Sequence, residues 1–278
     1  MIKVISKEDR EKLAVTGKIG LISTISPQGD VHITLISSIQ AKSENQLIWG
    51  KFSHGLSKMY LNDNPKCGFI ALNPQKEWWS GKALFTHIKD TGEDFEMYNN
   101  KPLFRYNSYF GIGQVYYMDL IDYYGKQTLA MSDIVLGALA GRAVKGFVKG
   151  CNDGKKKISG LSLKLAKDIA APKFLSYIDE DGYPIIFPVV QAVAKDEGRI
   201  LIPLTACKDY ISKIKPMSKA AMFYANLELS SVLFQGTYLG VEKRLGIAYG
   251  IFEIEKVYNS MVPIVGYIYP KEDYKLVF

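Results

Sequence analysis

Cysteine is sparse in this 278-residue chain: Cys67, Cys151 and Cys207 are all there is. The total is odd and no CxxC spacing occurs. A disulfide framework and a zinc site are therefore not expected, and a reducing, cytoplasmic setting is. No apolar run is long enough to span a bilayer. The first ten residues lack the apolar core of a signal peptide. His32, His54 and His87 have no metal-ligand spacing. Neither a Ser/His/Asp catalytic motif nor a dinucleotide fingerprint is present. Basic stripes interleaved with aromatics are missing from most of the chain, which argues against nucleic acid.

What is present is an ordinary globular composition, 47% apolar and 23% charged, long enough for two domains with a core each. The net charge of +7 sits in one place. Between Gly141 and Lys173 lie nine basic residues (Arg142, Lys145, Lys149, Lys155, Lys156, Lys157, Lys164, Lys167, Lys173) against two acidic ones, Asp153 and Asp168. The rest of the chain is formally neutral. The plain reading of this stretch is a solvated linker face; the alternative is contact with an anion, a membrane surface or nucleic acid.

The chain contains one segment twice. Residues 21–72 align without a gap on residues 174–225 at a constant offset of 153, matching Ser23, Ile25, Gly29, Ala41, Lys42, Glu44 and Lys66 to Ser176, Ile178, Gly182, Ala194, Lys195, Glu197 and Lys219. Apolar, strand-like runs match almost throughout. The polar stretch 51–58 does not: its counterpart is Leu204-Thr-Ala-Cys-Lys-Asp-Tyr-Ile211. A repeated fold whose polar loop differs between copies suggests one working site.

Local signals give the element order. Ser6 caps a short leading helix with acids in its first turn. Pro27-Gln-Gly-Asp30 separates two β-branched runs, as a hairpin turn does. Strands are expected at 46–50, 67–72, 78–86 and 115–123, a loop then a helix at 52–62, and a helix or loop at 89–101. The second copy repeats this, with a helix at 159–170 and another at 209–216. In the connector, Leu136, Ala140, Ala143 and Phe147 share one helical face. Gly137, Gly141 and Gly146 would allow close packing. Many short strands joined by tight turns imply a mainly β protein, a β-barrel with flanking helices, in two domains (1–126 and 159–278) joined by a basic helical connector (127–158).

The chemistry concentrates at Lys51-Phe-Ser-His-Gly-Leu-Ser-Lys58. A strand leads through a glycine turn into a helix start that bears a hydroxyl and an ammonium, a combination able to hold a phosphate. With Ile19–Ser26, the Pro27–Asp30 turn, His32–Ser38, Asn64-Pro65 and Gly81-Lys-Ala83, this segment resembles the FMN-binding split-barrel family of pyridoxamine 5′-phosphate oxidase, in a tandem form. The resemblance implies bound FMN. It matches Ser57 and Lys58 to the phosphate turn, with Lys51, Phe52, Ser53 and His54 as helpers. Ile36, Ser37 and Ser38 match the strand beside the flavin ring, and Trp79 and Lys82 the strand that reaches flavin across a dimer interface. It also implies an oxidoreductase passing hydride through flavin, with a small planar or anionic substrate and NAD(P)H as a possible donor. The two copies would pair as an intrachain pseudo-dimer, or the chain would form a homodimer.

Two departures from the oxidase pattern stand out: arginine is scarce at the phosphate turn, and the oxidase's C-terminal substrate segment is not recognisable. In the second copy Tyr210 and Ile211 replace Ser57 and Lys58, so at most one FMN per chain is expected. Arg105, Tyr106 and Tyr109 either line the substrate side of the pocket or pack a barrel end. A non-catalytic flavin-binding or sensory module and a heme-binding barrel are the alternatives.

Overall fold

The computed structural model describes residues 4–52, 55–101, 111–151, 155, 157–158, 160–168, 171–226, 230–259 and 265–270. The protein is mainly β, built on two antiparallel sheets with flanking helices. It divides into two compact units.

The first unit begins with α1 (Lys7–Leu13), where the Asp9 amide donates to the Ser6 hydroxyl at 3.1 Å as the capping pattern predicts. Its strands are β1 (Ile19–Ile25), β2 (Val31–Leu35), β3 (Gln40–Ala41), β4 (Gln46–Lys51), β5 (Lys66–Leu72), β6 (Glu77–Lys89) and β7 (Gln114–Thr128). Helix α2 (Leu56–Asp63) follows β4, and α3 (Glu93–Asn100) follows β6. The sheet runs β2-β1-β5-β6-β7-β4-β3. Its core gathers Ile22, Trp49, Leu61, Phe69, Trp79 and Met118. Gly20 is required where the chain leaves β2: a Cβ there would run into the Ile36 carbonyl, to which it sits opposite.

The second unit holds α4 (Met131–Val144), a 3₁₀ turn (Lys145–Phe147), α5 (Gly160–Lys167), β8 (Lys173–Ile178), β9 (Pro184–Pro188), β10 (Val193–Ala194), β11 (Arg199–Pro203), α6 (Lys208–Ile211), β12 (Ser218–Ala225), β13 (Ser231–Arg244), β14 (Ile247–Asn259) and β15 (Gly266–Tyr269). Its sheet runs β9-β8-β12-β13-β14-β11-β10, with β15 added on β14. This is the order of the first sheet. The offset of 153 carries β2 onto β9 and β3 onto β10 without a shift at either end.

The units cut across the repeats. Residues 28–33 belong with the second unit and residues 182–185 with the first. In the second, Asp30 pairs with Lys219 and Lys256, each at 2.7 Å, and Gln235 donates to the Val31 carbonyl. In the first, Lys66 lies over the Tyr183 ring.

Two local expectations need correction. The connector helix α4 does not dock by Leu136, Ala140, Ala143 and Phe147. It buries Ile134, Gly137, Ala138, Gly141 and Val144, and leaves Leu136 60% and Phe147 63% exposed. The glycines decide this: Gly137 sits against Thr205 and Gln191, and Gly141 against Val193 and Pro203, too close for any side chain. The helix expected at 209–216 is shorter, Lys208–Ile211. Strand β15 carried no signal in the periodicity.

Candidate functional site

Helix α2 follows β4, and its start is the candidate site. Its N-cap is Gly55, which has no side chain to satisfy the free amides of the first turn. The first turn holds no acid either. Into this electropositive corner the helix places Lys58, which is only 8% exposed. Burial, and then the charge of Lys51, pull its pKa down to about 8. The ammonium lies 5.9 Å from the centre of the Trp49 ring, and Trp49 stacks on Tyr116 at 4.1 Å. Lys51, at the end of β4, donates to Gln114 at 3.1 Å, a neutral partner. Two cations thus converge on a helix start with an uncapped first turn, an arrangement that favours an anion.

Ser57 is buried beside Lys58. Its hydroxyl accepts from Thr24 at 3.2 Å and lies 2.6 Å from the Thr34 hydroxyl. Sequence reasoning missed Thr24, Thr34 and Trp49. The two threonines sit on β1 and β2, far from Ser57 in the chain, and neither belongs to a motif.

At the same offset the second unit is apolar. Thr24, Thr34, Ser57 and Lys58 become Tyr177, Phe187, Tyr210 and Ile211. Phe187 stacks on Tyr210 at 4.7 Å and meets Tyr177 edge-on at 6.4 Å. Ile211 is fully buried. Cys207 is buried too, its thiol pushed up to about 12 by burial, although Gln191 donates to its sulfur and partly opposes the rise. Three aromatic rings occupy the place of the three hydroxyls.

The other expected residues separate. Ser38 is a structural residue: its hydroxyl bridges the amide and carbonyl of Gly50, both at 3.1 Å, and its carbonyl accepts from Tyr98. Ile36 is in the core, while Ser37 and Phe52 are exposed. Trp79 is fully buried in its own unit, where its indole donates to Asp9 at 2.8 Å. Tyr123 donates to the other oxygen of that carboxylate, tying α1 to β6 and β7. Lys82 is buried on β6, in register with Gly68 and Asp122. Ser53, His54, Arg105, Tyr106 and Tyr109 lie outside the described residues.

Of the other histidines, His32 is buried, its pKa drawn down to about 3 by burial, with its ring edge-on to Tyr258. His87 is exposed and stacked on Tyr117. Among the described residues no cluster of His, Cys, Asp or Glu is placed to hold a metal ion. None of the described helices is long and apolar enough to cross a membrane.

No family model matches the chain, and no curated protein does. Solved structures do resemble parts of it. An FMN-binding protein from Syntrophomonas wolfei subsp. wolfei is 16% identical, with a TM-score of 0.37 over 43% of this chain and 84% of that one. HupZ from Group A Streptococcus is 12% identical, with a TM-score of 0.36 over 43% of this chain and 92% of that one. The styrene monooxygenase flavin reductase from Pseudomonas putida S12 is 9% identical, with a TM-score of 0.28 over 44% and 86%. Likeness at this level leaves ligand and reaction to the residues of this chain.

Proposed function

We propose that the protein binds FMN through the first copy of the repeat and works as a flavin-dependent oxidoreductase. One observation carries this reading: the buried Lys58, beside Lys51 at an uncapped helix start, has aromatic and aliphatic side chains in its place in the second copy. Burying a lysine next to another lysine is costly. The cost falls away when a dianionic phosphate fills the corner. Lys58 and Lys51 hold the phosphate charge in this reading, the first amides of α2 donate to its oxygens, and Ser53 and His54, next in the sequence, remain candidate helpers. The hydroxyls of Thr24, Thr34 and Ser57 fasten that turn to β1 and β2. Trp79 drops out of the cofactor set because its indole is already engaged in the core.

Bound flavin would supply hydride transfer, with a reduced nicotinamide as donor; the protein supplies position and access. Arg105, Tyr106 and Tyr109 remain the candidates for the substrate side. A non-catalytic flavin module would bind FMN equally well and show no turnover with any donor, so reduction by NAD(P)H separates the two readings. The decisive variant is Lys58→Ala. It should weaken FMN about tenfold or more, the worth of a charged contact on the order of 1.5–3 kcal/mol. Titration of flavin fluorescence reads the change, and unaltered affinity removes the assignment.

A further inference from the structure

The second unit has a cationic hollow that the flavin reading does not use. It is a partly open hollow of about 220 Å³ between the C-terminal ends of α4 and α5 and the edge strand β10. Arg142, Lys145, Lys167 and Lys173 line it, with Asp168 as its one acid. Lys173 is 1% exposed; its ammonium donates to the Val190 carbonyl at 3.0 Å. Among the described residues no ion pair engages Arg142, Lys145 or Lys167.

Basic residues at helix C-termini are ordinary, because they answer the negative end of the helix dipole. That explanation is too small here. Four cations against one carboxylate leave three positive charges. The ends of α4 and α5 offset about half a charge each, so about two positive charges remain. Burial lowers the pKa of Lys173 to about 8; Asp168 opposes that fall and Arg142 adds to it. The amine is therefore still mostly charged at neutral pH.

From the surplus charge, the hollow that gathers it and the buried lysine in its lining, we infer that this hollow binds a phosphate monoester. A phosphate monoester carries close to two negative charges, matching the surplus, and a guanidinium at the rim suits its paired oxygens. A carboxylate would leave half of the charge unanswered. The site coincides with the basic stretch of the sequence. It shares no residue with the proposed flavin site, and its lysine has no counterpart in the first copy, where Gly20 stands in the place of Lys173.

The test uses the full-length Lys58→Ala protein, so that the α2 corner does not contribute. Calorimetric titration with inorganic phosphate and with glycerol 3-phosphate is one arm. Cosedimentation with phosphatidylcholine vesicles, with and without phosphatidic acid, is the other. Binding to the soluble ligands identifies a free metabolite, and binding only to phosphatidic acid vesicles identifies a lipid headgroup; either supports the site. The pair Arg142→Gln and Lys167→Gln, both at exposed positions, should weaken whichever binding is seen about tenfold or more. Binding should also be weaker at pH 9 than at pH 7 as Lys173, which has Asp168 and Arg142 as charged neighbours and lies over the Tyr224 ring, loses its proton. No binding in either arm, or binding unchanged in the double variant, overturns the proposal.

Discussion

Lys58 is the residue on which stability and function pull apart. Its amine titrates near 8 in the fold against 10.5 unperturbed, so below pH 8 the folded protein carries a charge it would rather not bury. The penalty at neutral pH is on the order of 3 kcal/mol. Lys58→Met should therefore melt several degrees higher than the parent in the absence of FMN, while losing FMN affinity. The sign with pH follows. Between 8 and 10.5 the unfolded chain still binds the proton and the folded chain has released it, so the parent gains stability as pH rises. The melting gap between parent and Lys58→Met should close over that window. Differential scanning calorimetry at pH 7, 9 and 10.5 reads it, and a gap that stays constant would show that Lys58 is not buried as a cation.

Helix α4 shows what an element-level reading can and cannot recover. Its glycines are legible in the sequence as points of close approach, yet the face of Leu136, Ala140, Ala143 and Phe147 is not the one that docks. Leucine and phenylalanine are better hydrophobes than glycine, and periodicity weighs side chains alone. The sheet beneath offers Val193, Pro203 and Gln191 at a distance only glycine tolerates, and backbone contact wins. Gly141→Leu should overpack this joint and cost about 1–3 kcal/mol. Leu139→Glu, at an exposed position of the same helix, should stay within about 0.5 kcal/mol of the parent. Urea unfolding compares the two. Helix α2 and its counterpart α6 make the complementary point. Their sequences differ in polarity, which the alignment shows. That three rings fill the place of three hydroxyls required knowing that β1, β2 and the helix start meet.

For the molecule as a whole, the asymmetry between copies leads to a count. One FMN per chain is expected after reconstitution and dialysis, read from the flavin absorbance against protein concentration; two per chain would mean that the aromatic cluster of the second unit opens. Asp30 gives a second expectation at this scale. Burial would raise its pKa, but Lys219 and Lys256 outweigh it and hold the carboxyl below its ordinary value. Asp30→Asn should cost about 1–2 kcal/mol near neutrality. The loss should vanish as pH falls through the carboxylate range, because the parent then protonates as well.

The sequence alone determined the features that depend on near neighbours or on repetition. These are the strands and turns, which follow alternation and glycine or proline placement; the Ser6 cap, which needs three residues; and the matching succession of elements within residues 21–72 and 174–225, which the offset of 153 already implied. The tertiary structure decided whatever depends on residues distant in the chain. It buried Lys58 and Lys173, joined Thr24 and Thr34 to Ser57, took Trp79 for the core, and counted residues 28–33 with the second unit. The reason is physical: secondary structure answers to hydrogen bonds and side-chain periods a few residues long, whereas burial, charge proximity and hydroxyl networks exist only after strands far apart in sequence have been laid side by side.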